Sequence, residues 1–216
     1  MKTYVNRFHG DHLYLEIDEN ETASLRSSDF DGLIEKHRRP LQVMVSSDNV
    51  RLIGLLVRSG FVLKRKCYEM DVCRADLAAP AADASEAVFE AVRGTPDYAV
   101  CAEKMYRYYA DTHAAVSPLT ASRVQFEGSL PDTVLYSKKN GRIVSAAFIE
   151  CSEIAYVFSC GTESFADFAG PLLAAMFARY DRIVFEADDT DPAAAELMGA
   201  FSVRPETSFD TYVKYP

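Results

Sequence analysis

The stretch Val43–Phe61 reads VMVSSDNVRLIGLLVRSGF and determines how this part of the chain folds. It starts as a short apolar strand and continues through polar residues, of which Asp48 or Asn49 can cap a helix. The helix carries apolar residues at helical spacing, so one side can pack on a sheet. Gly60 favours the end of the helix, because glycine readily adopts the left-handed conformation found there. The pattern predicts a strand, a helix and a second strand at residues 63–72.

The same order of elements returns near the end of the sequence, at residues 182–215. An apolar strand, IVFEA, is followed there by the turn DDTDP, an apolar helix and a final strand. An internal repeat of this size predicts two related structural units. Small residues and a proline at positions 77–83 are typical of a linker. We therefore predict a partial domain over residues 1–76 and a complete domain over residues 84–216.

The remaining elements follow from the spacing of apolar residues and from turn signals. Alternation predicts a hairpin around Gly10, and Asn140-Gly141 is typical of a tight hairpin turn. The predicted strands lie at 2–8, 12–17, 41–45, 63–72, 134–138, 142–150, 154–159, 183–187 and 207–215. The predicted helices lie at 23–37, 50–60, 84–93, 97–111, 165–179 and 192–201, and a long connection lies at 112–131.

The composition is that of a folded globular protein with an acidic surface. Apolar residues make up 49% of the chain, and 32 acidic residues outnumber 23 basic ones, giving a net charge of −9. This charge argues against nucleic acid or an anionic membrane as the main partner. The opening residues are too polar for a signal peptide, and no apolar run reaches the ~18–20 residues that span a bilayer. We therefore expect neither a nucleic-acid nor a membrane partner.

The five cysteines predict a reduced, cytoplasmic environment. They are odd in number and show no CxxC spacing, so neither a disulfide framework nor a zinc site is indicated. The histidines are scattered without metal-ligand spacing. The acidic stretch Asp188–Pro192 admits a metal loop or a helix start, and Asp191 before proline favours the helix start. No metal is expected.

From residue 84 the order is helix, helix, three strands, helix, strand, helix and strand, and it resembles the GCN5-related N-acetyltransferase (GNAT) superfamily. The stretch quoted first resembles the family locally. Asn49, Gly60 and Phe61 fall where the family has an asparagine and a helix that closes in Gly-Phe. The resemblance implies an α/β fold with a central mixed sheet flanked by helices. Residues 1–76 correspond to the last half of such a fold.

The resemblance implies acetyl-CoA as the acyl donor, held between the fourth and fifth strands of the complete domain. In the family, a loop of pattern Arg/Gln-x-x-Gly-x-Gly/Ala places the donor's diphosphate at a helix N-terminus. Here Ser164 replaces the Arg or Gln, Asp167 replaces the first glycine, and Ala169 matches. The donor-binding residues so assigned are Phe158, Ser159, Cys160, Ser164, Phe165, Ala166, Asp167, Phe168 and Ala169.

The family's usual proton donor, a tyrosine in the helix after the fifth strand, has no counterpart here. Leu56 stands at the equivalent place in the partial copy, and Glu196 falls nearest in the complete one. Tyr156 on the fourth strand and Tyr212 on the last strand are the predicted substitutes. Each is also explained as a structural tyrosine with a bonded hydroxyl group.

Three glutamates are candidate bases for the incoming amine. Glu150 and Glu153 flank the turn into the fourth strand, and Glu186 stands in an otherwise apolar strand. A carboxylate in such a strand faces a functional gap, solvent or a polar partner. Glu150 and Glu186 are carried forward as catalytic candidates beside the two tyrosines.

Four further residues admit a functional or a structural interpretation. Tyr108 and Tyr109 belong to a helix that forms part of the acceptor wall in the family, and both are also typical of a core or its rim. Cys160 ends the fourth strand, where it is a nucleophile or a small lining residue. His113 begins the long connection, where it serves as an acid or base or as an exposed capping residue.

These features predict acetyl transfer from acetyl-CoA to a small amine by direct attack, through positioning and backbone polarisation. The alternative is a module that keeps the fold, has lost catalysis and binds another ligand or a protein. An incomplete domain exposes a sheet edge and an apolar face, so a homodimer is also predicted.

Overall fold

A computed structural model gives the fold. It describes residues 1–18, 20–79, 88–161 and 163–216. The contacts divide the chain into two compact units. The first unit contains Met1–Cys67, His113–Ala121 and Glu206–Pro216. The second unit contains Tyr68–Thr112 and Ser122–Pro205.

The described residues form ten strands and six α-helices, with one 3₁₀ turn at Arg74–Asp76. The strands are β1 Lys2–Tyr4, β2 Leu13–Glu16, β3 Leu41–Ser46, β4 Val62–Cys73, β5 Phe89–Val92, β6 Thr133–Lys139, β7 Arg142–Glu150, β8 Glu153–Ser159, β9 Arg182–Asp188 and β10 Phe209–Lys214. The helices are α1 Ser27–His37, α2 Val50–Arg58, α3 Pro96–His113, α4 Arg123–Glu127, α5 Ala166–Phe177 and α6 Pro192–Gly199. A mixed sheet flanked by helices, as the sequence predicted, is the architecture of this chain.

The sheet of the first unit runs in the order β1, β2, β3, β10 and the first part of β4. The predicted pairing of β1 with β2 is confirmed as antiparallel. β2 and β3 are parallel. The final strand, β10, is antiparallel to both β3 and β4 and lies between them. The C-terminus of the chain therefore completes the sheet that the N-terminal strands begin.

The helix that the opening stretch predicted is α2. The Asn49 side chain accepts a hydrogen bond from Leu52 N at 3.1 Å, which satisfies one of the free N–H groups at the helix start. Gly60 has a φ of 85°, which glycine adopts without strain. The helix buries Leu56, and it shares a core with Phe30 of α1. The local sequence signals at both ends of α2 are confirmed.

The sheet of the second unit runs in the order β9, β8, β7, β6 and β5, with β4 beside β9. β8 and β9 are parallel, whereas β5 to β8 pair in antiparallel fashion. The turn between β6 and β7 is the predicted hairpin, since Asn140 and Gly141 both have positive φ values of 51° and 74°. One apolar cluster between the sheet, α5 and α6 contains Leu172, Phe185 and Leu197.

The predicted helix at 84–93 is wrong where the structure describes it. Phe89–Val92 is a strand that pairs with β6, with Phe89 opposite Tyr136. Pairing with a neighbouring strand and stacking of these two rings at 5.5 Å override the helical preference of Glu90 and Ala91. Residues 84–87 lie outside the described ranges.

The connection at 112–131 contains a short helix, α4, that the sequence analysis did not predict. Ser122 and Gln125 form a capping box at its start. This Ser-x-x-Gln spacing is a known helix-start signal and was available in the sequence.

The division of the chain at residues 77–83 stays a prediction, and positions 80–83 lie outside the described ranges. The residues just before them are tied to the second unit. Leu77 forms a β-bridge with Phe201, and Ala78 N donates to Ala200 O at 2.9 Å.

Candidate functional site

The parallel strands β8 and β9 separate soon after they begin. Their pairing consists of Glu153 with Val184 and Ile154 with Phe185. Beyond these pairs both strands continue, β8 to Ser159 and β9 to Asp188, without pairing with each other in the ranges described. Beyond Ile154 and Phe185 the facing edges of β8 and β9 are therefore not joined as a ladder, and this separation in the second unit is called the gap below.

A β-bulge lies in β8 at the point of separation. Phe148 pairs with Tyr156, whereas the next residue of β7, Ile149, pairs with Ile154. Ala155 is the extra residue, and bulges of this kind leave their extra residue out of the ladder and often lie beside active sites. Glu186, the residue after the last paired position of β9, borders the same gap and is exposed.

Tyr108 contacts β8 and the start of α6, the helix that follows β9. Its ring lies 6.5 Å from the ring of Phe158 on β8. Its hydroxyl group donates to Asp191 Oδ1 at 2.6 Å and accepts from Ala193 N at 3.0 Å, at the start of the helix that follows β9. Burial, followed by the charge of Asp191, raises the pKa of Tyr108. The hydroxyl group is therefore a protonated donor at neutral pH.

Asp191 is the N-cap of α6, as predicted. Its Oδ1 accepts from Ala194 N at 3.1 Å, and Pro192 follows at the first helical position. Burial raises the pKa of Asp191, while the hydrogen bonds from Tyr108 and Ala194 act in the opposite direction. Across the described ranges, no group of His, Cys, Asp and Glu side chains is arranged to hold a metal ion.

The first turn of α5 holds a carboxylate from α6. Glu196 Oε2 accepts from Ala166 N at 2.8 Å and from Ser164 Oγ at 2.9 Å. Ser164 Oγ also lies 3.2 Å from Ala166 N, as an acceptor. An anion at this position is favoured by the free N–H groups and by the helix dipole. The loop in which the sequence predicted a diphosphate is thus bonded to an anionic group of the chain itself.

A cavity of about 360 Å³ lies between α5 and α6, beside this carboxylate. Small residues line most of it, and among the described residues of its wall Glu196 is the one acidic side chain. The lining includes Ala166, Ala169, Gly170, Gly199 and Ala200.

The predicted donor-binding residues divide into buried and accessible ones. Phe158, Phe165, Phe168 and Ala169 are buried, and Ala169 lines the cavity between α5 and α6. Phe168 N and Ala169 N both donate to Phe165 O, at 2.9 Å and 2.8 Å. Ala166 and Asp167 are exposed in the first turn of α5.

Ser159 and Cys160 are engaged within the second unit. The Ser159 hydroxyl group donates to Glu163 O, and Cys160 N donates to Val144 O at 2.8 Å. The Cys160 thiol lies 3.4 Å from Lys104 Nζ. The thiol is half-buried, and the five cysteines, all within the described ranges, form no disulfide bond.

The predicted catalytic residues do not form one cluster. Tyr156 packs near Phe126, at 5.9 Å between ring centres. Glu150 is exposed and stands opposite Glu153 at the turn between β7 and β8, whereas Glu186 borders the gap. Tyr212 belongs to the core of the first unit, where burial raises its pKa. Of the predicted catalytic residues, Tyr156 on β8 and Glu186 on β9 therefore lie beyond the last paired positions, whereas Glu150 and Tyr212 do not.

His113 and Tyr109 take positions that the sequence left open. His113 is buried in the first unit, with its ring stacked on His9 at 5.5 Å. Tyr109 lies against Phe126, at 4.8 Å between ring centres.

Sequence reasoning missed the polar contacts at the starts of both helices. The sequence indicates Tyr108 as a residue of the acceptor wall or of the core and its rim, and Glu196 as the residue nearest to the place of the absent tyrosine. No local signal connects Tyr108 with Asp191 or Glu196 with Ser164, because both contacts depend on packing between distant elements.

The comparison with solved structures identifies the fold. A GCN5-related N-acetyltransferase from Sphaerobacter thermophilus superimposes with a TM-score of 0.61 at 10% identity, covering 98% of this chain and 75% of that one. Another from Kribbella flavida has a TM-score of 0.54 at 14% identity, covering 94% and 80%. No protein-family model and no curated protein matches the sequence. The chain has the α/β fold of the GCN5-related N-acetyltransferases.

Within the described ranges, each helix is too short or too polar to cross a lipid bilayer.

Proposed function

We propose that this chain transfers the acetyl group of acetyl-CoA to a small amine by direct attack, in the gap between β8 and β9. The observation that carries the proposal is the separation of these strands beyond Ile154 and Phe185, together with the bulge at Ala155. A strand edge with free backbone donors and acceptors can bind an extended amide-containing ligand as another strand would. The pantetheine arm of acetyl-CoA is such a ligand.

Backbone groups near Ala155 would polarise the thioester carbonyl. A backbone N–H fixed in position stabilises the oxygen as it gains negative charge. The amine nitrogen attacks the carbonyl carbon, the carbon–sulfur bond breaks, and the sulfur leaves as a thiolate. No metal takes part in these steps.

Glu186 and Tyr108 are the proposed proton-handling residues. Glu186 borders the gap and takes the proton that the attacking amine releases. When the O–H group of Tyr108 turns away from Asp191 Oδ1, it donates its one hydrogen bond to the departing thiolate instead, and the thiolate then takes its proton from water. Because its pKa is raised, Tyr108 remains able to donate across the neutral and mildly alkaline range.

Calorimetric titration with acetyl-CoA, followed by a panel of small amines with detection of the released thiol, tests the proposal. Binding that competes with free CoA, and acetylated product identified by mass spectrometry, are the expected results. Absence of both binding and thiol release at millimolar acetyl-CoA would contradict the proposal.

A second candidate function is a non-catalytic module of the same fold. It is favoured by the hydrogen bonds of Glu196 at the start of α5, where a phosphate-bearing donor would otherwise bond. A folded protein that neither binds acetyl-CoA at millimolar concentration nor acetylates any amine of the panel would support this candidate.

A further inference from the structure

The carboxylate at the start of α5 is held by α6, the neighbouring helix. Glu196 Oε2 bonds to both Ala166 N and Ser164 Oγ, although these residues lie 30 and 32 positions away in the sequence. Phe165 O already accepts the N–H groups of Phe168 and Ala169. Ala166 begins α5, so its N–H group has no partner within the helix and donates to Glu196 Oε2 and to Ser164 Oγ.

Glu196 is not neutralised by a basic side chain. In the part of the chain that the structure describes, its carboxylate makes no ion pair with Lys, Arg or His. Its charge is also among the causes that raise the pKa of Tyr108, although burial is the largest. The negative charge therefore acts on the start of α5 and on the tyrosine that borders the gap.

The surroundings allow the carboxylate to leave. Glu196 is half-buried and lies in the wall of the cavity between α5 and α6, which is lined by small residues such as Gly170 and Gly199. A glutamate side chain has three rotatable bonds, so it can turn away without movement of its helix. The α6 cap at Asp191 would stay intact, because that cap is made by a different side chain.

We infer that Glu196 is an internal anion that competes with the phosphate groups of the acyl donor for the first turn of α5, and so sets the affinity for that donor. The inference rests on the proposed function and deepens it. A diphosphate can bond to Ala166 N only after the carboxylate has moved. While the carboxylate stays, two anions would share one set of donors, and like charges at such separations repel. Glu196 is thus a determinant of donor affinity and not a residue that takes part in the chemistry.

The test measures binding to the wild type and to Glu196→Gln by calorimetry. Glutamine keeps an acceptor oxygen for Ser164 and Ala166 but removes the charge. Glu206→Gln, at an exposed position of the first unit, removes the same charge elsewhere and is the matched control. The ligands are acetyl-CoA, S-acetyl-pantetheine, which lacks phosphate, and inorganic pyrophosphate. Glu196→Ala replaces the glutamine variant if that protein does not fold, as judged by circular dichroism.

We expect Glu196→Gln to bind acetyl-CoA about tenfold more tightly, which corresponds to about 1.4 kcal/mol. Its affinity for S-acetyl-pantetheine and the acetyl-CoA affinity of Glu206→Gln should stay within about twofold of the wild type. Unchanged or weaker acetyl-CoA binding by Glu196→Gln would overturn the inference and leave Glu196 as a helix cap, while the proposed function stands.

The pyrophosphate titration separates the two claims. Tighter pyrophosphate binding by Glu196→Gln, with no acetyl-CoA binding by either protein, would uphold the competing anion and overturn the proposed function. No binding of any ligand by either protein would overturn both.

Discussion

Two parallel strand pairs within the described ranges differ in how far they stay together. In the first unit β2 pairs with β3 at Leu13, Tyr14 and Leu15, which is nearly the whole of that strand. In the second unit β8 pairs with β9 at its first two residues and then separates at a bulge. The first unit, called the closed unit below, therefore holds the parallel pair that stays together, and the second, called the open unit, holds the pair that separates beside Glu186.

The helix caps differ in the same way. Asn49 caps α2 with a bond to Leu52 N, and no other side chain shares that cap among the bonds of the described residues. Asp191 caps α6 and also accepts the hydroxyl group of Tyr108 from α3. The Asn49 cap in the closed unit serves only its own helix, whereas the Asp191 cap in the open unit is connected to the candidate site through Tyr108.

Removing a large core side chain from the closed unit should give the largest loss of stability. Phe30 is fully buried and contacts Phe61 edge to face, at 5.1 Å between ring centres. We expect Phe30→Ala to lower the free energy of unfolding by about 3–5 kcal/mol, through lost burial and the cavity left behind. Chemical denaturation measures the change. Val57→Ala, on the exposed side of α2, is the control and should cost less than about 0.5 kcal/mol.

Acetyl-CoA titration of Phe30→Ala sharpens the comparison. Below the unfolding transition, the affinity of the variant for acetyl-CoA should match that of the wild type within about twofold, because the proposed gap belongs to the open unit. A large loss of affinity in the folded variant would contradict the assignment of the site to the second unit alone.

Removing the hydroxyl group that borders the gap comes next in size. We expect Tyr108→Phe to reduce kcat by about 10²-fold with little change in KM, because a positioned hydrogen-bond donor acts mainly on the departing thiolate. Steady-state kinetics with the best amine of the panel measures this effect. Tyr109→Phe is the matched control, since its ring packs against Phe126 away from the α6 cap. Equal losses in both variants would show that the loss is not specific to the hydroxyl group of Tyr108.

The local part of this molecule could be predicted from sequence, and the long-range part could not. Asn49 and Gly60 mark the ends of α2 because a cap depends on residues within a few positions. Phe89–Val92 was misassigned because its strand exists only by pairing with β6. The Tyr108–Asp191 bond joins residues 83 positions apart, so nothing in the neighbourhood of either residue indicates it.

The position of the final strand shows the same limit. The sequence repeat predicts that β10 is the last strand of the domain at 84–216, and the hydrophobic pattern alone fits that interpretation. In the structure β10 pairs with β3 and β4, with Tyr212 opposite Val43 and Leu63. A strand's pattern of buried and exposed residues states which face is covered, and it does not state which neighbour supplies the hydrogen bonds.

Removing the helix caps should give a loss of stability of intermediate size. We expect Asn49→Ala to lower the free energy of unfolding by about 1 kcal/mol. Asp191→Ala should cost about 1 kcal/mol more, because the Tyr108 hydroxyl group also loses its acceptor in a half-buried place. Thermal and chemical denaturation measure both variants, with Asp191→Asn as the variant that keeps an acceptor. If the two alanine variants lose the same stability, the Tyr108 contact contributes nothing to the fold.

The smallest predicted effect is a pH dependence of the free energy of unfolding that arises in the closed unit. His9 is buried, stacks on His113, and places Nδ1 3.2 Å from Pro118 O. Burial is the largest cause that lowers the pKa of His9, and the nearby charges of Arg65 and His12 act in the same direction. The unfolded chain therefore binds a proton at His9 more readily than the folded chain does.

The sign of the pH dependence follows from this difference. As pH falls from about 7.5 through the unfolded pKa of about 6.5, protons bind the unfolded state first, so the free energy of unfolding decreases. The loss ends once pH is below the lowered pKa of the folded state. Urea denaturation between pH 7.5 and pH 5 should show a smaller decrease for His9→Gln than for the wild type. His37→Gln, at the end of α1, is the control. If the free energy of unfolding changes with pH identically in the wild type and in His9→Gln, His9 does not contribute to the pH dependence.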